Sequence, residues 1–138
     1  MNTAKKGFLP MLHGIRLSKT QGLVSADERR RMEMIPYASA IGSIMYAMIC
    51  TRPDVSYALS VTSRYQSDPG ESHWTAVKNI LKYLRRTKDV FLVYGGEEAL
   101  GVKGYTDVSF QTDLDDSKSQ SGYVFLVNEG AVSWKSSK

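Results

Sequence analysis

The stretch Pro36-Tyr-Ala-Ser-Ala-Ile-Gly-Ser-Ile-Met-Tyr-Ala-Met-Ile-Cys-Thr-Arg-Pro-Asp54 decides the architecture of this chain. Its first proline suits the first turn of a helix, because the missing N–H has no helical partner there. Apolar residues then occur on every side of the helix as far as Cys50, which is typical of a buried helix. We therefore predict a core helix over 36–50, then a break and a new helical start at Pro53.

The composition predicts a folded and mildly basic chain. Of its 138 residues 42% are hydrophobic, and 18 Lys and Arg against 14 Asp and Glu give a formal charge of +4. That hydrophobic share is enough for a packed core, and the basic balance is compatible with a phosphate-rich partner. The single cysteine, Cys50, lies in the apolar run, so we predict a buried residue rather than a reactive thiol.

The sequence shows neither a secretory leader nor a membrane anchor. The apolar run after Lys6 covers only 8–12, which is shorter than the core of a signal peptide. The run 41–50 is about half as long as a membrane-spanning helix. We therefore expect an intracellular protein, in the cytoplasm or nucleus, that does not bind a membrane.

Breaker residues and periodicity divide the chain into three segments. Glycines and a proline interrupt residues 1–24, so we predict an extended lead-in with one short strand over 13–19. Residues 25–89 carry helical periodicity, and residues 90–138 carry short β runs separated by turn residues. The predicted fold class is therefore α+β, a helical part followed by a short antiparallel β meander.

The helical segment opens with a capping signal. Ser25 precedes the first helical turn and Glu28 follows three residues later, which is the capping-box spacing. After the break at Pro53, apolar residues recur on one face as far as Tyr65. A turn at 67–70 separates this helix from the next. The residues on the apolar face are Val55, Ala58, Leu59 and Thr62.

The helix that opens at Glu71 is the most regular of the segment. One face carries an apolar seam at three- and four-residue steps, and another carries basic residues at the same steps. The basic face is either a solvated flank or a surface that lies along a nucleic-acid backbone, and periodicity alone favours the flank. The seam comprises Trp74, Val77, Leu81 and Leu84, and the candidate nucleic-acid-binding residues are Lys78, Lys82, Arg85 and Arg86.

The last segment predicts four short strands. A polar run over 111–118 separates the second from the third, and Asn128-Glu-Gly130 is a hairpin signal between the last two. In a short meander of this kind the fourth strand leaves an unpaired edge. The strands cover 90–94, 102–109, 122–127 and 131–135.

Five blocks of this sequence resemble, in the same order, the Pol polyprotein of copia-type LTR retrotransposons. The resemblance covers nearly the whole chain, and the agreement of several long motifs at once makes it specific. The blocks are Ile35-Pro-Tyr-Ala-Ser-Ala-Ile-Gly-Ser-Ile-Met-Tyr-Ala-Met-Ile-Cys-Thr-Arg-Pro-Asp54, His73-Trp-x-Ala-Val-Lys-x-Ile-Leu-Lys-Tyr-Leu-Arg85, Gly104-Tyr-Thr-Asp107, Lys118-Ser-x-Ser-Gly-Tyr123 and Gly130-Ala-Val-Ser-Trp-Lys135.

In that family this region joins the reverse transcriptase to its RNase H domain. The resemblance therefore implies that residues 25–89 form a thumb- and connection-like part that holds a primer–template duplex. It strengthens the nucleic-acid interpretation of the basic face, with an RNA–DNA hybrid or duplex as a weakly bound partner. It also implies that the strands from Val102 onward open an RNase H-like sheet, which is incomplete within this sequence.

An RNase H centre uses several carboxylates to hold two metal ions, which are Mg²⁺ in the ancestral enzyme. Asp107 matches the first of these carboxylates. The family usually continues Asp-Ala-Asp-Trp-Ala-Gly-Asp, whereas this sequence has Asp107-Val-Ser-Phe-Gln-Thr-Asp113, with Ser109 at the second acidic position. The family places its next catalytic acid and its polymerase aspartates outside residues 1–138. The resemblance therefore implies a truncated, non-catalytic fragment with a vestigial Asp107, no metal site and no cofactor.

Two alternative functions remain open. Proteins that contain this block are also described as secreted RxLR effectors of oomycete plant pathogens, which suppress host cell death through protein partners. Residues 16–19 and 27–30 match the effector motifs poorly, because Leu17 directly follows Arg16. Under this alternative the protein is secreted into the host cell. The other alternative is a nuclease whose missing acids come from a second chain.

Overall fold

A computed structural model of the chain describes residues 9–12, 14–22, 25–96, 99–109 and 113–138. Within these residues four α-helices precede one three-stranded antiparallel sheet. This arrangement confirms the predicted α+β class and the incomplete sheet. The helices are α1 Ala26–Glu33, α2 Tyr37–Cys50, α3 Ser56–Thr62 and α4 Glu71–Arg86, and the strands are β1 Val102–Ser109, β2 Gln120–Val127 and β3 Gly130–Ser137.

The hydrophobic core lies between α2, α3 and α4. The predicted apolar face of the helix after Pro53 is confirmed, because all four of its residues are buried. Burial of an aliphatic side chain of this size stabilises the fold by about 1.5–3 kcal/mol. This three-helix contact is therefore the main apolar contribution to stability. Its central side chains, each at most 1% exposed, are Ile41, Ile44, Val55, Val77 and Ile80.

The capping box at the start of α1 is confirmed. The Glu28 N–H donates to Ser25 Oγ over 3.2 Å, and the Ser25 N–H donates to Glu28 Oε2 over 3.1 Å. Met32 is the residue through which α1 reaches the core. No single helix among the described residues is long and apolar enough to cross a membrane; α1 and α2 reach that length and apolar character only as a pair, bent by 48°.

The expectation that α2 is buried on every side is wrong. Tyr37, Ile41 and Ile44 are buried, whereas Tyr46 and Ile49 are 74% and 63% exposed. The reason is that α3 and α4 pack against one face of α2, and the opposite face remains in solvent.

The prediction of a buried Cys50 is also wrong, because this residue is exposed. It ends α2 nine residues after Ile41, and at about 100° per residue that places it on the opposite side of the helix. The helix itself begins at Tyr37, with Pro36 at the N-cap position. Pro53, in contrast, occupies the first turn of a short 3₁₀ helix, as predicted.

The predicted strand over 13–19 is wrong for the residues described. Residues 14–18 have no regular structure, Lys19–Gln21 form a 3₁₀ turn, and His13 lies outside the described residues. Packing holds this segment in place, since Leu17 is buried beside Tyr65 and Ala76. A lone strand is not stable without a neighbour to pair with, and this segment does not lie beside either edge of the sheet.

The predicted hairpin between the last two strands is confirmed, but its turn has two residues rather than the predicted three, because Gly130 already belongs to β3. Asn128 and Glu129 form its two-residue turn, and Val127 pairs with Gly130. Both turn residues have positive φ, 45° and 66° respectively. Such a turn matches the right-handed twist of the flanking strands, which explains why the register is set there.

The predicted strand over 90–94 is wrong, so the sheet has three strands rather than four. Residues 90–96 have no regular structure, and Phe91 and Val93 are 75% and 66% exposed. The segment contacts the hairpin instead: the Tyr94 hydroxyl donates to the Ala131 carbonyl oxygen over 2.9 Å. The contact is close, because a Cβ at Gly130 would collide with the Tyr94 ring.

A polar network around Arg64 joins the sheet to the helices. The Arg64 guanidinium forms an ion pair with Asp113 and a hydrogen bond with the Gln120 side chain. Gln120 in turn donates to Ser60 Oγ of α3 over 2.9 Å. Burial raises the pKa of Asp113, but hydrogen bonds from Lys138 and from two backbone N–H groups outweigh it, and the pKa lies well below its ordinary value.

We expect Arg64→Leu to uncouple the sheet from the helices. The change removes one of the two cations paired with the buried Asp113 carboxylate, so the free energy of unfolding should fall by about 1.5–3 kcal/mol. Hydrogen exchange should show a greater loss of protection in β2 and β3 than in α2. The matched control is Arg31→Leu, which removes an ion pair whose side chains are 59% and 57% exposed. That control should change stability by less than about 1 kcal/mol. An equal loss of protection in helices and sheet would contradict the assigned role of Arg64.

Candidate nucleic-acid interface

The N-terminus of α4 is held by Gly70 and His73. The Gly70 N–H donates to His73 Nδ1 over 2.8 Å, and His73 Nε2 lies 3.0 Å from the Ser18 carbonyl oxygen. These two bonds assign a neutral imidazole with its proton on Nε2. The ring also stacks on Tyr65, with centroids 4.0 Å apart. A Cβ at Gly70 would collide with the Gln21 carbonyl oxygen, so glycine is required there.

The buried face of α4 differs from the predicted apolar seam. Of the seam residues only Val77 is fully buried, while Leu81 is 37% exposed. The buried face of α4 is rotated relative to the predicted seam because it includes His73. Histidine normally lies on a polar face, but here hydrogen bonds satisfy both ring nitrogens and allow the side chain to be buried. The buried residues of α4 are His73, Ala76, Val77 and Ile80.

The four predicted binding residues lie together on the side of α4 that faces away from the core. All four side chains are exposed. Their spacing confines them to about a third of the helix circumference and to about 12 Å of its axis. The structure therefore brings them into one surface, called the basic face below: Lys78, Lys82, Arg85 and Arg86.

A groove of about 780 Å³ runs beside the basic face. One wall carries three of the four cations, and the other wall consists of apolar side chains from the lead-in. Cations beside an apolar wall suit a ligand that combines phosphates with less polar sugars. The lining comprises Lys82, Arg85, Arg86, Thr75 and Asn79 of α4 with Leu9, Leu12 and Ile15.

The C-terminal end of α4 is fixed by Arg52, which is 8% exposed. Its guanidinium donates to the Thr87 carbonyl oxygen over 3.2 Å and to the two Asp54 carboxylate oxygens over 3.1 and 2.8 Å. It also lies over the Tyr83 ring, 5.4 Å from the centroid. A cation at this end satisfies a terminal carbonyl and opposes the negative end of the helix dipole.

These contacts shift the pKa of each member of the Arg52 cluster. The hydrogen bond to Asp54 raises the pKa of Arg52. Burial raises the pKa of the Asp54 carboxyl, but hydrogen bonds from Arg52 and Tyr83 outweigh it and the net pKa is lowered. Burial, together with the hydrogen bond to Asp54, raises the pKa of Tyr83. The cluster therefore stays charged on Arg52 and Asp54 near neutral pH.

Sequence reasoning gave no role to His73 or Arg52, although both lie in the quoted blocks. The signal that could have found His73 is its position three residues after a helix-capping glycine. Arg52 gives no such local signal, because its partner Thr87 lies 35 residues further along the chain.

Asp107 lies in β1 opposite Gly122 of β2 and is exposed. It lines a groove of about 600 Å³ between α3 and the sheet, together with Tyr57 and Tyr105. In the part of the chain that the structure describes, no group of three or more His, Cys, Asp or Glu side chains is arranged to hold a metal ion. Asp113 is paired with cations instead.

The relatives of this chain among known proteins include Pol polyproteins and a protein named as an effector. The retrovirus-related Pol polyprotein from transposon TNT 1-94 of Nicotiana tabacum is 45% identical over 136 residues, which is 99% of this chain and 10% of that polyprotein. The Pol polyprotein from transposon RE2 of Arabidopsis thaliana is 34% identical over 140 residues, 100% of this chain and 9% of the polyprotein. Secreted RxLR effector protein 161 of Plasmopara viticola is 42% identical over 107 residues, 78% of this chain and 75% of that protein.

The polyprotein relatives match nearly the full chain at 34–45% identity and support its origin as a transposon-derived Pol region. They confirm the resemblance of this sequence to copia-type retrotransposon Pol polyproteins. The chain spans about a tenth of the length of the polyproteins that it matches. No protein-family model and no solved structure matches the chain.

We expect the chain to lose stability as the pH falls below about 6.5. Burial lowers the pKa of His73, against smaller opposing effects of Ser18, Asp115 and Asp68. The unfolded chain then takes up a proton more readily than the folded one, so the stabilisation is complete above the unfolded pKa of about 6.5. It declines as the pH falls through the lowered folded pKa, with a slope of at most about 1.4 kcal/mol per pH unit.

Chemical denaturation at several pH values measures this effect. His73→Phe keeps an aromatic ring beside Tyr65 and should flatten the pH profile in this window, at the expense of the Gly70 hydrogen bond. A profile that is unaltered by His73→Phe would overturn the assignment.

Proposed function

We propose that this Pol region binds a nucleic-acid duplex through the basic face of α4, weakly and without sequence preference. The observation that carries the proposal is the placement of four cationic side chains on one exposed surface, on the side of the helix opposite its buried residues. The other face of α4 is buried against the core, which holds this surface in place. Both ends of α4 are fixed as well, by His73 and by Arg52.

The basic face has the dimensions of a short run of backbone phosphates. Its length of about 12 Å corresponds to three or four base-pair steps at about 3.4 Å each. Contacts to phosphates position a protein on a duplex without reading its sequence. The apolar wall of the neighbouring groove adds contact area beside the backbone. These properties support a sequence-independent surface whose affinity depends on salt.

Within the Pol family, we assign residues 25–89 to the thumb- and connection-like part and the sheet to the opening of an RNase H-like fold. An RNA–DNA hybrid or another duplex is then the partner, and the cytoplasm or nucleus is the place of action. Neither a membrane nor a cofactor is part of this function.

We further propose that Asp107 is vestigial and that the region is not catalytic. The acids that follow Asp107 have structural partners, which supports this view. Asp113 pairs with Arg64 and Lys138, and Asp115 accepts a hydrogen bond from the Lys19 N–H over 2.9 Å. A two-metal centre needs several carboxylates around one point, which Asp107 by itself does not provide.

Removing the basic face should weaken binding to a labelled RNA–DNA hybrid. The variant Lys78→Gln, Lys82→Gln, Arg85→Gln and Arg86→Gln removes four charges from one surface. We expect about a tenfold or greater loss of affinity at low salt, and a slope of log K against log salt whose magnitude is smaller by up to about 3.6. Fluorescence anisotropy at several salt concentrations measures both quantities.

The matched control removes the same charge from other exposed positions. Changing Arg29, Arg30, Lys118 and Lys135 to Gln also lowers the formal charge by four, from +4 to 0. If the two variants lose affinity equally, net charge rather than the basic face explains the binding. Incubating the hybrid with the wild-type chain and Mg²⁺ should leave it intact; cleavage that disappears in Asp107→Asn would instead support a nuclease.

A second candidate function follows from the relative named as an RxLR effector, which this chain matches over 75% of that protein. In this candidate the chain is delivered into a host cell and suppresses cell death through protein partners. Expression of the wild type and of the four-charge variant in host leaf cells distinguishes the two. Suppression of cell death that survives loss of the basic face would favour protein partners.

A further inference from the structure

β1 is paired on one side only. It lies against β2 in an antiparallel register that runs from Val102 opposite Val127 to Ser109 opposite Gln120. No other strand among the described residues lies beside it, since the sheet order is β1-β2-β3. Seven of its eight residues are exposed. The open side of such a strand presents backbone N–H and C=O groups to which another strand can pair.

The sequence of β1 is complementary to itself in reverse. When two copies are placed antiparallel about Tyr105, each lysine meets an aspartate and each valine meets a valine. Opposite charges and β-branched pairs at directly facing positions stabilise a sheet, whereas like charges there destabilise it. The facing pairs are Val102 with Val108, Lys103 with Asp107, Gly104 with Thr106, and Tyr105 with Tyr105.

We propose that the open edge of β1 docks a second copy of this chain, with the two-fold axis at Tyr105. The product is one continuous antiparallel sheet with three strands from each copy. The eight-residue strand gives a contact about 27 Å long. Backbone hydrogen bonds supply the attraction, and the two Lys103–Asp107 pairs fix the register. The contact is small, so the dimer is weak and depends on concentration.

β3, the other edge of the sheet, lacks this property. Its one charged residue is Lys135, so two antiparallel copies of β3 form no ion pair. α3 also packs beside it, with Ser60 Oγ 3.3 Å from Ser136 Oγ. The self-complementary charges are thus specific to β1.

Lys103 already has a partner within the chain. It forms an ion pair with Glu129, and the two side chains are 55% and 60% exposed. An ion pair this exposed contributes little, so it does not prevent Lys103 from also facing Asp107 of the second copy.

Charge exchange tests the proposed register. Sedimentation equilibrium over a wide concentration series should show a monomer–dimer equilibrium for the wild type. Asp107→Lys places two lysines face to face at both ends of the contact and should raise the dimer dissociation constant about tenfold or more. The double variant Lys103→Asp with Asp107→Lys restores opposite charges and should restore dimerisation. Lys135→Asp, on β3, is the control and should leave the dissociation constant unchanged.

A cysteine at the axis tests the same contact without altering its charges. In a Cys50→Ser background, Tyr105→Cys should form a disulfide-linked dimer, because facing Cα atoms in antiparallel strands lie about 4.5–5.5 Å apart. Thr106→Cys is the control, since the proposed register places its two copies too far apart to link. Circular dichroism establishes that each variant is folded.

A wild type that stays monomeric at every concentration overturns the proposal, and so does a dimer that Asp107→Lys does not weaken. Disulfide formation at position 106 in preference to 105 overturns the register. The experiment is independent of the nucleic-acid titration, because none of its variants alters the basic face.

Discussion

The ion pair of Arg64 with Asp113, extended to Gln120, is the contact on which the relation between helices and sheet depends. The helices share an apolar core, but the sheet meets them largely through hydrogen bonds, such as that from Trp134 Nε1 to the Met48 carbonyl oxygen over 3.0 Å. A buried polar network stabilises only when each of its members has a partner. In the described residues no buried side-chain nitrogen or oxygen lacks one. Hydrogen-bond geometry, rather than apolar area, therefore sets the position of the sheet.

The parts of the fold that sequence predicts correctly are those with local causes. Ser25 and Glu28 are three residues apart and cap the same helix turn, and Asn128 with Glu129 forms its turn from two adjacent residues. The errors have non-local causes. The run 90–94 has the composition of a strand but does not pair with any strand of the sheet, and Cys50 lies in an apolar run on the side of α2 that faces solvent.

The same distinction applies to the candidate site. The spacing of the basic residues along α4 is visible in the sequence, and the structure places them on one surface. Spacing along the helix does not identify the side chains that fix the two ends of α4. His73 contacts Ser18, which is 55 residues away, and Arg52 contacts Thr87, which is 35 residues away. A protein named as a polyprotein and a protein named as an effector are both similar in sequence to this chain, so the fold alone does not decide the function.

Asn128, in the turn between β2 and β3, forms hydrogen bonds with two other segments of the chain, at Gly95 and at Gly101. The Asn128 N–H donates to the Gly101 carbonyl oxygen over 2.9 Å, and the Asn128 side-chain oxygen accepts from the Gly101 N–H over 2.8 Å. The Asn128 carbonyl oxygen accepts from the Gly95 N–H over 2.7 Å, and its side-chain amide donates to the Gly95 carbonyl oxygen over 3.3 Å. Exposed loops normally tolerate insertions and deletions. An insertion in this turn would also displace the chain as it enters β1. Length variation among descendants of this sequence should therefore fall in other loops, and this exposed turn should keep its two residues.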